Sequence, residues 1–302
     1  MSKNLMVLPI LLLAVACTAT PPSDEGPLTV VATTGMIGDA ALAIAGDRAE
    51  VISLMGPGVD PHLFKASEGD VGRLTGADLI LYNGLHLEGK MGDVLEKVGR
   101  SRPVIAVAET VPESEHLLAD GAVDPHLWFD VALWQAILDP IVEAFAEVDP
   151  EGAELYRANG EAYRERLVRL DAWVGEQIAT IPTEQRVLVT AHDAFGYFGR
   201  AYAIEVIGLQ GMSTIAEAGI GDIERVVDLI VERRIPAIFV ESSVPRRAIE
   251  AVQAACAAQG HAVTIGGELF SDAMGAAGTP EGTYEGMVRH NVTTLVEALS
   301  PR

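Results

Sequence analysis

Short runs of aliphatic and β-branched residues alternate along this chain with stretches whose apolar positions recur at helical spacing. In the first half the strand-like runs are LTVVAT (28–33), EVISLM (50–55), DLILYN (78–83) and VIAVAE (104–109). MIGDAALAIAG (36–46) and the polar SEGDVGRLTG (67–76) read as helices between them. The alternation restarts with RVLVTAH (186–192) and AIEVIGL (203–209). It continues through IGDIERVVDLIVERR (220–234), PAIFVE (236–241), PRRAIEAVQAACAAQG (245–260) and HAVTIGG (261–267). Strands alternating with helices predict parallel sheets faced by helices, so the expected fold class is α/β with two parallel-sheet lobes.

Between the two series lies DPEGAELYRANGEAYRERLVRLDAWVGEQIATIP (149–182), rich in helix formers, with Leu155, Tyr163, Leu167, Leu170 and Val174 near helical spacing. Asp149 is a candidate cap, Pro150 suits a first helical position, and Pro182 lies just past the end. The expectation is an N-terminal lobe over 28–148, one spine helix over 149–182 and a C-terminal lobe over 183–302. At the rise of an α-helix the spine would run roughly 45 Å, long enough to back both lobes and stiff enough to limit hinge bending.

The N-terminus adds an address. MSKNLMVLPILLLAVAC has a lysine, an apolar run from Leu5 to Val15 and small residues before Cys17, the pattern of an export signal over 1–16. The run is shorter than the roughly 20 residues a membrane span needs. Ala14-Val15-Ala16 fits ordinary signal peptidase, and followed by Cys17 it also resembles a lipobox. The low-complexity tether over 17–27 favours the lipobox, with lipid on Cys17 as the anchor. The expected location is therefore outside the cytoplasmic membrane, in the periplasm or tethered to the membrane as a lipoprotein. Cys256 is the one other cysteine, which leaves no partner for an intramolecular disulfide if Cys17 is acylated. With 21 basic against 43 acidic side chains, net −22, the charge argues against nucleic acid as a partner and is compatible with cations.

Candidate chemistry sits at the ends of the strand-like runs. A pentapeptide occurs almost twice, Asp60-Pro61-His62-Leu63-Phe64 and Asp124-Pro125-His126-Leu127-Trp128. In each, proline fixes its own φ and biases the residue before it, so the imidazole leaves a constrained turn in a set direction. His192 ends the run VLVT, and Asp272 follows the last strand through a glycine-rich bend; ligands of open α/β sheets gather at such carboxyl ends. Each residue alone has a plain structural reading, a hydrogen-bonded histidine or, for Asp272, a helix cap. The duplicated turn lifts the set. Three imidazoles and one carboxylate suit Zn2+, Mn2+ or Fe2+, whereas Cu(I) calls for sulfur and Ca2+ or Mg2+ for mostly oxygen donors. Because imidazoles bind metal when neutral, affinity is expected to fall as pH drops through roughly 6.5.

MSTIAEAGIGDI (212–223), PAIFVESSVP (236–245), HAVTIGGELFSDAMG (261–275) and TYEGMVRHNVTTLVEAL (283–299) resemble the cluster A-I, TroA-like, zinc and manganese solute-binding proteins, a likeness running from about residue 28 to the end. The resemblance implies two α/β lobes joined by one long helix, a metal held in the cleft between them, and delivery to an ABC importer permease with its ATPase. It places the metal ligands at His62, His126, His192 and Asp272. Many manganese-selective members have glutamate where His192 stands, which leans towards zinc. Many zinc specialists carry a long histidine-rich loop before the second histidine, and here the stretch 112–123 offers only His116. The two cues pull apart, which fits a site that accepts both ions.

Glu241, ending a strand-like run, is a candidate acceptor for an imidazole N–H and equally a candidate helix cap. Asp60 and Asp124 either orient the neighbouring histidines or simply form turns. His86 is assigned packing or a lobe contact, and His261 and His290 ordinary surface or helix roles. Two other functions share the residue types: a zinc-dependent hydrolase, and a lipoprotein or adhesin that binds haem or a siderophore. HExxH, GxSxG and glycine-rich phosphate loops are absent from the sequence, and only 5% of residues are aromatic, few for the walls of a large organic pocket. The reading taken is a monomeric, non-enzymatic binding protein whose cargo is one metal ion.

Overall fold

The structure is a computed structural model that describes residues 26–119 and 121–300. The export signal, Cys17 and most of the tether lie outside the described residues. The first lobe-like unit is built from β1 (Leu28–Ala32), α1 (Gly35–Ala45), β2 (Ala49–Ser53), α2 (Glu68–Gly76), β3 (Leu79–Tyr82), α3 (Gly92–Gly99) and β4 (Val104–Ala106). Its strands form one parallel sheet in the order β2-β1-β3-β4. Val30, Val31 and Ala32 in β1 and Leu79, Ile80 and Leu81 in β3 are all buried, as expected of central strands covered on both faces. The polar α2 starts with a reciprocal cap: Ser67 Oγ accepts from the Asp70 amide and Asp70 Oδ2 accepts from the Ser67 amide.

A small antiparallel hairpin follows, β5 (Leu118–Ala119) and β6 (Ala122–Val123), which the alternation pattern did not signal. After α4 (Val131–Trp134) and α5 (Leu138–Val148) comes the long helix α6, Ala153–Ile178. At 26 residues it spans about 39 Å. It begins later than the sequence suggested, because Pro150–Gly152 forms a separate 3-10 turn. Asp149 is not its cap: its carboxylate takes hydrogen bonds from Arg48 Nε and from the Tyr156 hydroxyl instead.

The second series runs β7 (Val187–His192), α7 (Gly196–Tyr202), β8 (Glu205–Gln210), α8 (Ile220–Arg233), β9 (Ala237–Glu241), α9 (Arg247–Ala258), β10 (Thr264–Leu269) and α10 (Tyr284–Leu299). β7 pairs with β8 and β9 with β10, both parallel, and β7 lies beside β9. Three apolar clusters hold the frame. One lies between the first sheet and α2 and α3, another between the second set of strands and α8 and α9. The third and largest joins both halves: it contains α1, α4, α5 and α6 together with Leu188, Phe239, Tyr284, Met287, Val292 and Leu295. The layer behind both sheets is thus one continuous core with α6 in its middle. Among the described residues no helix is long and apolar enough to cross a membrane.

Candidate metal centre

His62 lies in the loop between β2 and α2, His126 between β6 and α4, His192 is the last residue of β7, and Asp272 follows β10. The structure brings all four together: one donor atom from each lies within 4.8 Å of the others. All four are buried, with exposures of 0 to 3%. His62 Nε2 is 3.3 Å from His126 Nε2. Asp272 places Oδ1 3.5 Å from His126 Nε2 and Oδ2 3.3 Å from His192 Nε2 and 4.0 Å from His62 Nε2. Neither oxygen of Asp272 makes a well-aligned hydrogen bond. A buried carboxylate without such partners is costly unless a cation completes it.

The local sequence explains each orientation. The proline turns act through the aspartate that opens them: Asp60 Oδ1 accepts the backbone N–H of His62 at 2.8 Å, and Asp124 Oδ1 that of His126 at 3.0 Å. The two turns then diverge. Asp124 Oδ1 also contacts His126 Nδ1 at 2.7 Å, which leaves Nε2 facing the centre. Asp60 instead turns its other oxygen to the Thr214 hydroxyl at 2.5 Å, tying the His62 loop to the opposite half. Glu241 accepts the His192 backbone N–H at 2.9 Å and lies 2.5 Å from His192 Nδ1. The cap alternative does not describe Glu241, whose carboxylate is buried against His192, nor Asp272, after which no helix begins before the 3-10 turn Pro280–Gly282.

The His126 loop is bolted to the second half from several sides. The Tyr197 hydroxyl donates to the Asp124 carbonyl and accepts from the Leu117 amide. Trp128 Nε1 donates to the Ser271 carbonyl, and the Tyr284 hydroxyl donates to the Trp128 carbonyl. The Trp128 ring stands edge-on to His126 with centroids 5.2 Å apart.

Charge within the pocket is divided unevenly. Burial dominates at His62 and lowers its pKa to about 4. At His126 burial acts in the same direction, but the Asp124 and Asp272 carboxylates together outweigh it and push the pKa up to about 9. Burial at His192 is likewise overcome by Glu241 and Asp272, which hold it well above the usual imidazole range. Burial works to raise Asp272, and the two imidazoles together hold it well below the carboxylate range instead. The carboxylates thus favour positive charge on His126 and His192, and the same negative surroundings suit a cation.

The other histidines stand apart from this cluster. His86 is exposed in the loop after β3, His261 contacts the Ile235 carbonyl and His290 the Glu268 carbonyl.

Parallel sheets backed by one long helix, with three imidazoles and a carboxylate buried within 4.8 Å of one another, mark the class of helix-backed metal-binding solute receptors. A family model described as ZnuA, zinc-uptake complex component A, periplasmic, matches residues 30–298, and the chain belongs to that family. It is 52% identical over 279 residues to the manganese-binding lipoprotein MntA of Bacillus subtilis (strain 168), covering 92% of this chain and 91% of that protein. It is 53% identical over 279 residues to the zinc-binding protein TroA of Treponema pallidum (strain Nichols), covering 92% of this chain and 90% of TroA. The solved structure of the periplasmic zinc-binding protein TroA from Treponema pallidum superposes with a TM-score of 0.90 at 52% identity, over 91% of this chain and 100% of that one.

Proposed function

We propose that this chain captures one divalent transition metal ion outside the cytoplasm and delivers it to the permease of an ABC importer, which is driven by its ATPase. The ligands are the Nε2 atoms of His62, His126 and His192 and the carboxylate of Asp272. The observation that carries this reading is the convergence of those four buried groups, with the three imidazoles gathered around a carboxylate of Asp272 that makes no well-aligned hydrogen bond. The cargo is Zn2+ or Mn2+, with Fe2+ compatible with the same donors; neutral imidazoles hold Zn2+ more tightly than Mn2+. Relatives named for manganese and for zinc stand at nearly equal identity, in keeping with a site that accepts both.

Two features support cargo over catalysis. The carboxylates nearest the imidazoles, Asp124 and Glu241, are engaged by His126 and His192, so neither is a free general base for an attacking water. Buried donors this close together also enclose a bare ion rather than a haem or siderophore. We place the lobes at 28–148 and 183–302 around the linking segment 149–182, and assign an export signal over 1–16, a lipid anchor at Cys17 and a monomeric state.

Elemental analysis of protein purified without chelator tests the function. One equivalent of zinc or manganese per chain is expected, with a rise in melting temperature that chelator reverses, since an ion bound only to the native state stabilises it by mass action. His126→Ala is expected to remove most of both signals. Metal-free wild-type protein that takes up neither ion would overturn the reading.

A further inference from the structure

Two buried asparagines outside the donor set grip the backbone from which ligands project. Asn83, at the end of β3, is fully buried, and its Nδ2 donates to the Pro125 carbonyl at 3.0 Å. That carbonyl belongs to the peptide unit whose N–H, on His126, is held by Asp124 Oδ1 at 3.0 Å. The peptide plane carrying His126 is therefore fixed at both ends. Asn83 is itself anchored: the buried Glu88 carboxylate accepts the Asn83 and Gly84 amides at 2.7 and 3.1 Å and the Thr33 hydroxyl at 2.6 Å. The turn between Asn83 and Glu88 holds Leu85 and His86 at φ 51° and 64° in succession, a left-handed path rarely taken by side chains with a Cβ. Such strain persists where surrounding contacts over-determine it, and here the contacts fix Asn83.

Asn291, on α10, is 3% exposed and clamps both sides of one residue. Its Oδ1 accepts the Phe270 amide at 2.9 Å and its Nδ2 donates to the Phe270 carbonyl at 2.7 Å. Phe270 is two residues before Asp272, just past the end of β10. Each amide thus holds backbone outside the sheets next to a ligand, one in each half.

We propose that Asn83 and Asn291 are positioning residues of the metal site, setting the separation of His126 from Asp272 through the backbone each one holds. This rests on the cargo reading above. A donor set held at fixed spacing imposes its geometry on the ion, so loosening either clamp relaxes both affinity and coordination geometry.

The test uses the mature full-length chain with Co2+ as the spectroscopic ion and Zn2+ for affinity. In Asn83→Asp and Asn291→Asp, which keep the side-chain shape and lose the amide donor, Zn2+ affinity is expected to fall about 10- to 100-fold and the visible Co2+ bands to shift. Asn83→Ala and Asn291→Ala should move both readouts in the same direction. Tyr163→Phe, which removes a hydrogen bond between α6 and Asp39 away from the site, is expected to lower the melting temperature and leave the Co2+ spectrum unchanged. Folded variants with wild-type Zn2+ affinity and superimposable Co2+ spectra would overturn the proposal. If an alanine variant does not fold, the aspartate variant at that position decides, and the two positions are read independently. Wild-type protein that binds neither ion defeats the cargo reading instead, which separates the two failures.

Discussion

At the residue scale, Asp124 and Glu241 do more than orient rings. Their contacts with Nδ1 of His126 and His192 favour a proton on that atom, which leaves each Nε2 facing the other three donors. Against burial, neighbouring carboxylates push His126 up to about 9 and His192 well above the usual imidazole range, favouring their protonated forms, while burial lowers His62 to about 4. If these nitrogens hold the ion, as proposed, binding is expected to release protons near pH 7. Metal affinity is then expected to keep rising with pH up to about 9, whereas an unperturbed imidazole would level off near 6.5. Calorimetry in buffers of differing ionisation enthalpy counts the protons released. Stability of the metal-free protein should move the other way. A folded pKa raised above the unfolded one stabilises fully below about pH 6.5, and that contribution is lost as pH rises through about 9. The melting temperature without metal should fall over that window. A flat melting profile, or an affinity that saturates near pH 6.5, would show that the carboxylates do not hold these protons.

At the element scale, β10 and α10 approach each other closely enough to need glycine. A Cβ on Gly266 would meet Ala298 and the Phe239 ring at 2.7 Å, and one on Gly267 would run into the Thr294 side chain. The strand also slips register between Ile265 and Gly267. Gly267→Ala is expected to cost about 1–3 kcal/mol by overpacking, read as a lower melting temperature, and to be partly rescued by Thr294→Ala in the same chain. No change in the single variant would mean that α10 gives way freely. The sequence suggested a bend at the glycine pair after the last strand, whereas both glycines lie inside β10, and the packing of α10 that requires them is not visible locally. The β5–β6 hairpin was illegible for a related cause: two residues per strand leave no periodicity, and Tyr197 from α7 braces it at Leu117 and Asp124. Asp149 misled because aspartate before proline is a good cap locally, whereas Arg48, 101 positions away, takes its carboxylate.

At the scale of the whole molecule, the shared cluster around α6 joins both halves into one apolar body. Further ties reinforce it: Tyr163 donates to Asp39 on α1 at 2.7 Å, and Tyr202 on α7 donates to Asp171 on α6 at 2.7 Å. Separating the halves widely would expose that core, so metal capture should proceed by small adjustment around the His62 loop, whose carboxylate tie to the other half is the Asp60–Thr214 hydrogen bond. Small-angle scattering of metal-free and loaded protein is expected to give closely similar radii of gyration. A large contraction on loading would show that the halves part and that the core is not continuous in solution.

The chain's own order of residues determined the alternation of the main strands and helices and the four candidate donors, because periodicity, proline turns and residue type are local properties. It left the roles of Asp124 and Glu241 open between alternatives, and it was silent on Asn83 and Asn291. Those roles depend on which backbone groups lack partners once two sheets are packed against a common helix, a condition that arises only in three dimensions. The pairing of imidazoles with carboxylates was likewise decided by the tertiary structure, since it follows from burial and from distances of a few ångströms between segments far apart in the chain.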